Sequence, residues 1–165
     1  MIKTTAAIAP ELVGTKAVAM NFLNEVFAGD LAEVAELIHD ACVFFVGGEA
    51  RSSGYHTEEE FLAGLKRVLP RLGEMTLNIG TITAENDRVA IEAELHSVLP
   101  SGDVYNNQYH YLIRVTDGKI SCFKEYFDTQ HTLRVLGLPP MDPAQDKRAS
   151  NLEMITYSIS NRASV

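Results

Sequence analysis

Apolar positions recur along the chain at two periods, and the change between them falls at Pro70. Before it, Ala19, Phe22, Leu23, Val26 and Phe27 recur at helical spacing from Val18 onward, and Gly29 is a natural stop. Asp30-Leu31-Ala32-Glu33 has capping-box spacing and opens a second helix carrying Leu31, Val34, Leu37 and Ile38. Residues 42–46 are a short apolar run before Gly47-Gly48 and predict a strand. Thr57-Glu58-Glu59-Glu60 is another capping box, opening a third helix with Phe61, Leu62, Leu65 and Leu69 inside and Pro70 as its end. After Pro70 the period becomes two, predicting strands at 75–83, 88–99, 104–115 and 119–127. Glu85-Asn86-Asp87, Pro100-Ser101-Gly102-Asp103 and Thr116-Asp117-Gly118 supply the turns between them.

Helices followed by an antiparallel meander predict an α+β domain, with the helices packed on one face of the sheet. Residues 129–136 read as one closing helical turn, with Asp128 as N-cap, and Pro139, Pro140 and Pro143 mark a linker. The domain is therefore expected over residues 1–140. Residues 141–165 form a tail, either flexible or associated with a dimer, in which Ile155, Tyr157 and Ile159 alternate like an edge strand.

Composition adds exclusions. With 14 basic and 22 acidic residues among 165, the net charge of -8 argues against a nucleic-acid partner and against anionic membrane surfaces. Cys42 and Cys122 sit in apolar stretches and read as buried free thiols in a reducing compartment. No signal-peptide core stands near Met1, and no run approaches the roughly 20 apolar residues of a membrane span. A soluble cytoplasmic protein is expected. His-Glu-x-x-His, Cys-x-x-Cys and His-x-His are absent, as are phosphate-binding glycine loops and the Gly-x-Ser-x-Gly elbow, so neither a metal nor another cofactor is expected.

Strand register turns the alternation into a candidate site. A two- or four-residue turn at Ser101-Gly102 sets Glu92 opposite Tyr111, Glu94 opposite Tyr109 and His96 opposite Asn107. A three-residue turn at Gly118 sets Tyr109 opposite Glu125 and Tyr111 opposite Phe123, whereas a strict Asp117-Gly118 turn would bring His110 opposite Glu125. Under the first choice one face gathers Glu92, Glu94, His96, Asn107, Tyr109, Tyr111, Phe123, Glu125 and Phe127, leaving Ile91, Ala93 and Leu95 on the other. Crowded, desolvated glutamates have raised pKa values, so one can act as acid while another acts as base. The bland readings are a solvated charged face, ordinary half-buried strand tyrosines, and histidines with structural or solvent-facing roles.

Tyr105-Asn106-Asn107-Gln108-Tyr109-His110-Tyr111, Arg114-Val115-Thr116-Asp117-Gly118-Lys119-Ile120 and Lys124-Glu125-Tyr126-Phe127-Asp128-Thr129 resemble the SnoaL-like, ketosteroid-isomerase-related branch of the NTF2-like superfamily. Ala28-Gly29-Asp30 and Gly54-Tyr55 fit the same family, and the resemblance spans about residues 12–137. It implies a cone-shaped α+β barrel, a curved, mainly antiparallel sheet around an apolar pocket, usually in a homodimer. Members include isomerases, polyketide cyclases, dehydratases, epoxide hydrolases and binding modules, so the fold leaves the activity open. In comparison with limonene epoxide hydrolases, the Asp-Arg-Asp set falls on Glu94, Glu92 and Glu125, and the water-holding Tyr and Asn fall on Val43 and Phe45. In comparison with ketosteroid isomerases, the base and oxyanion positions read Phe45 and Phe22.

The expected activity is proton transfer on a small apolar molecule, of isomerase, dehydratase or cyclase type, with no cofactor. Glu125 and Glu94 are the expected acid/base pair, and Tyr109 the donor to a substrate oxygen. Glu92, His96 and Asn107 give polar support, Tyr111 contacts substrate, and Phe22, Phe45, Leu65, Phe123 and Phe127 form an apolar wall. The alternatives are a non-catalytic ligand-binding or dimerisation module, a variant epoxide hydrolase, or a wet glutamate face with the action in the tail or dimer surface.

Overall fold

The structure, a computed structural model, describes residues 13–142 and Ala144. The alternating edge strand expected at Ile155, Tyr157 and Ile159 lies outside the described residues.

Helix α1 (Thr15–Ala28) buries Ala19, Phe22, Leu23, Val26 and Phe27, the stripe its periodicity marks. It stops at Gly29, whose left-handed φ of 77° turns the chain so that the Asp30 N–H also reaches the Glu25 carbonyl. Helix α2 (Leu31–Glu36) is capped by the Asp30 side chain, which accepts from the Glu33 N–H. The helical pattern predicted for Leu37 and Ile38 gives way here. The Leu37 carbonyl accepts the Ile120 N–H, and strand β1 (Ile38–Val46) begins at once. Strand β2 (Gly54–His56) is too short to show a period in sequence.

Helix α3 (Glu58–Leu72) opens on a complete capping box: Thr57 accepts from the Glu60 N–H and Glu60 from the Thr57 N–H. It runs past Pro70 rather than ending there. A proline in the last turn forfeits only one helical hydrogen bond. The extra turn buries Leu72 and presents its carbonyl to the Ser97 hydroxyl.

Strands β3 (Glu74–Glu85), β4 (Arg88–Val98), β5 (Val104–Thr116) and β6 (Lys119–Phe127) form the predicted antiparallel meander, and helix α4 (Thr129–Leu136) closes it. Asp128 caps α4 by accepting the His131 N–H, as the sequence indicates. The six strands run in the order β2-β1-β6-β5-β4-β3, with β1 parallel to β6, and the helices pack on one face of this curved, unclosed sheet. The core lies between that face and α1 and α3, where Phe22, Phe44, Phe61 and Phe123 pack ring against ring.

The β4–β5 register is displaced by one residue from the predicted one. Ile91 stands opposite Tyr111, Ala93 opposite Tyr109 and Leu95 opposite Asn107. The connection has an odd loop. The Gly102 N–H bonds the Leu99 carbonyl, the Leu99 N–H bonds the Asp103 carbonyl, and Gly102 takes φ 89°. A one-residue slip exchanges the two faces of a strand. Burying Val89, Ile91 and Leu95 is worth roughly 1.5–3 kcal/mol each, whereas the predicted register would bury Glu92, Glu94 and His96 at the cost of desolvating them.

Between β5 and β6 the turn is the strict two-residue Asp117-Gly118, both at positive φ (50° and 75°). A bulge between Arg114 and Val115 then adds one residue. The predicted face membership survives, but the pairs move on by one step: Tyr111 faces Glu125, Tyr109 faces Phe127 and Ile113 faces Phe123.

Candidate active site

Between α1, α3, α4 and the covered face of the sheet lies a cavity of about 690 Å³. Helix α3 lines it with Phe61, Gly64, Leu65 and Val68, positions that share one side of a helix. Helix α1 contributes Leu23, Val26 and Phe27, and the segment from Thr132 to Leu138 closes one side. The sheet supplies Leu95, Tyr105, Tyr109, Tyr111, Phe123, Glu125 and Phe127.

Glu125 sits in the middle of β6, beside Val46 on the parallel neighbour and opposite Tyr111 on β5. Its side chain has no hydrogen-bond or ion-pair partner among the described residues, and the surface it retains opens on the cavity. Burial alone pushes its carboxyl up to about 7. Its neighbours are aromatic: Tyr109 stacks on Tyr111 at 5.4 Å, and Tyr111 on Phe123 at 5.6 Å. Burial, and after it the nearby Tyr105 and Glu125, holds the hydroxyls of Tyr109 and Tyr111 well above the usual phenol range.

Tyr109 heads a chain of hydroxyls. Its oxygen is 2.6 Å from that of Tyr105, which is 3.0 Å from Thr132 Oγ1. Asn107 anchors the chain. Its Oδ1 accepts the Asp128 N–H, while its Nδ2 donates among the Asp128 carbonyl, the Tyr105 hydroxyl and Thr132 Oγ1 at 2.9–3.0 Å. Thr132 can direct its own proton to the Asp128 carbonyl or to Tyr105. In the second setting each hydroxyl donates toward the cavity, and Tyr109 keeps a proton free for a ligand oxygen. The Tyr111 hydroxyl, by contrast, is buried with no partner among the described residues.

The site residues expected from the sequence divide by strand parity. Glu125, Tyr109, Tyr111, Leu65, Phe123 and Phe127 line the cavity. Phe22 lies fully buried behind the lining, 5.3 Å from the Phe123 ring. Asn107 is buried but serves the hydroxyl chain. The slipped register puts Glu92, Glu94 and His96 on the outer face, where Asn106 donates to Glu94 at 2.9 Å. Phe45 also faces outward, against Tyr55 and Tyr126, because Phe44 and Val46 take the buried positions of β1. The Glu94, Glu92 and Glu125 set of the epoxide-hydrolase comparison therefore lies on two faces and does not meet.

Sequence reasoning missed Tyr105, Thr132, His56 and the rim arginines Arg51 and Arg67. Tyr105 shares the parity of Tyr109, which was a usable signal. Arg51 enters from a loop, Thr132 and Arg67 from helices and His56 from the three-residue strand β2, where a strand pattern carries no information. Among the described residues no cluster of His, Cys, Asp or Glu suits a metal ion, both cysteines are free thiols, and no helix is long and apolar enough to cross a membrane.

Residues 19–123, more than half of the chain, match the SnoaL-like domain family. No curated protein matches the chain. Among solved structures, IdmH from Streptomyces antibioticus, described as a candidate polyketide cyclase, superposes with TM-score 0.63 at 21% identity, over 76% of this chain and 100% of that one. A candidate SnoaL-like polyketide cyclase from Shewanella putrefaciens gives TM-score 0.64 at 13% identity, over 77% of this chain and 88% of its own. An NTF2-like protein from Burkholderia xenovorans gives TM-score 0.59 at 17% identity, over 73% and 94%. These likenesses agree with the open sheet and the helices packed on it. The chain belongs to the SnoaL-like domain family and has the NTF2-like fold.

Proposed function

We propose that the protein is a cofactor-independent acid/base enzyme that moves a proton on a small, largely apolar molecule, in an isomerisation, dehydration or cyclisation. The observation that carries this reading is Glu125, a carboxyl with no side-chain partner among the described residues, set in an aromatic cavity and raised to about 7 by burial. At neutral pH such a group is divided between its two forms, so it can take a proton from carbon and return it elsewhere. Tyr109, with Tyr105 and Thr132 behind it, supplies a hydrogen bond to a substrate oxygen that gains charge as the proton leaves. Glu94 stands on the outer face, so the expected pair of glutamates reduces to one carboxyl acting as base and then as acid.

The test is hydrogen–deuterium exchange at carbon. A panel of small cyclic enones and β-diketones is incubated with protein in D2O and followed by NMR. Enzyme-dependent exchange is expected, with an apparent pKa near 7, lost in Glu125→Gln. Exchange that Glu125→Gln leaves untouched overturns the reading.

A second reading is a ligand-binding module without turnover, favoured by the lack of a second interior carboxylate on the sheet. It predicts ligand-induced stabilisation in both wild type and Glu125→Gln, without exchange. The homodimer implied by the family resemblance is also part of our reading. The outward cluster of Phe45, Tyr55 and the 43%-exposed Tyr126 supports it, and light scattering checks it.

A further inference from the structure

Residues that both line the cavity and are exposed mark its opening, and two of them are arginines. Arg51 follows β1 in the loop before β2, and Arg67 lies on the cavity-facing side of α3. Neither guanidinium meets a carboxylate among the described residues, in a chain whose acids outnumber its bases by 22 to 14. The other charged or titratable groups at this rim are already engaged. Glu60 accepts the Thr57 N–H and lies 3.8 Å from His56. Asp142 accepts the Ala144 N–H, and His56 Nε2 donates to the Ser52 carbonyl. Arg51 and Arg67 come from separate elements, line one cavity and have no acid partner among the described residues, a combination suited to an anion.

We propose that the molecule taken by this cavity is an apolar carboxylate, its anionic head held at the mouth by Arg51 and Arg67 and its apolar body directed inward. The proposal rests on the proton-transfer reading of the same cavity and names its substrate class. Charge sets the orientation. An ionised Glu125 repels an anion, so the head group stays at the arginines while the uncharged end approaches Glu125, Tyr109 and Tyr111. Phe61, Val68, Leu72 and Phe123 line the same cavity and offer apolar wall to the body of such a ligand.

Calorimetric titration at pH 8 with 2-naphthylacetate, its methyl ester and 2-(2-naphthyl)ethanol tests this. The carboxylate is expected to bind about tenfold more tightly than the ester or alcohol, with a preference that shrinks in high salt. The preference is expected to fall within twofold in Arg51→Met/Arg67→Met and to persist in Arg51→Lys/Arg67→Lys, which keeps the charge. Equal binding of acid and ester by wild type, or a preference that survives the double Met variant, overturns the proposal. If acid and ester bind alike while carbon exchange still depends on Glu125, only the anion site falls. If the preference holds while exchange ignores Glu125, only the proton-transfer reading falls. Failure of all three probes to bind overturns the anion site, and the exchange assay alone decides the proton-transfer reading.

Discussion

Glu125 ties the chemistry of the site to the stability of the fold. Its carboxyl titrates near 7 in the folded chain and near the ordinary 4.5 when unfolded, so the folded state holds the proton more tightly. The stability it allows is fully present below the unfolded value and is lost as pH rises through the folded one. That loss is on the order of 3 kcal/mol at most. Glu125→Gln is therefore expected to match wild type in urea unfolding at pH 4.5 and to exceed it by roughly 1–3 kcal/mol at pH 8. An unchanged difference between the two pH values contradicts the buried carboxyl. The tyrosines give a second contrast. Tyr105→Phe breaks the chain to Thr132 and Asn107 and is expected to cost about 1–2 kcal/mol, whereas Tyr111→Phe removes an orphaned hydroxyl and is expected to be neutral or stabilising in the same assay. Glu125 and Tyr109 are legible in the sequence because β5 and β6 alternate cleanly. Glu94 was not, because its face depends on the count of residues in a neighbouring loop.

At the scale of elements, the joints are more sensitive than the elements themselves. Gly48 has φ 96°, and a Cβ there would stand 2.5 Å from a methyl of Thr129, where β1 approaches the start of α4. Gly64 lies within α3, and a Cβ there meets nothing within 4 Å. Gly48→Ala is thus expected to lower stability by more than ~1 kcal/mol. Gly64→Ala is expected to raise it by about 0.5–1 kcal/mol through helix propensity. Thermal unfolding of the two variants decides both. The sequence marked Gly47-Gly48 only as a turn, since the close approach of Thr129 is a tertiary fact. Helix α3 shows the reverse case: its capping box was readable residue by residue, while its passage through Pro70 depends on the burial of Leu72.

At the scale of the whole molecule, a cavity of about 690 Å³ is an unfilled core, and filling it is linked to folding. A ligand at a hundred times its Kd is expected to stabilise the protein by ~2.7 kcal/mol, seen as a rise in Tm. Gly64→Trp places a large side chain on the cavity wall without a clash at its Cβ, and it is expected to keep the fold but abolish that rise. A Tm rise that persists in this variant would mean the ligand binds elsewhere.

Local periodicity by itself determined the helices over α1 and α3, the four-stranded meander, the Asp128 cap and the shared face of Tyr109, Tyr111, Phe123, Glu125 and Phe127, because propensity, capping and alternation act between residues close in the chain. Only the tertiary structure decided which face of β4 is covered. The three-residue loop at Pro100–Gly102 and the burial of Val89, Ile91 and Leu95 settle that register together, and a count wrong by one residue exchanges every side chain between cavity and outer surface. The hydroxyl chain and the arginine rim join residues from strands, helices and a loop, and only packing brings those elements to one cavity.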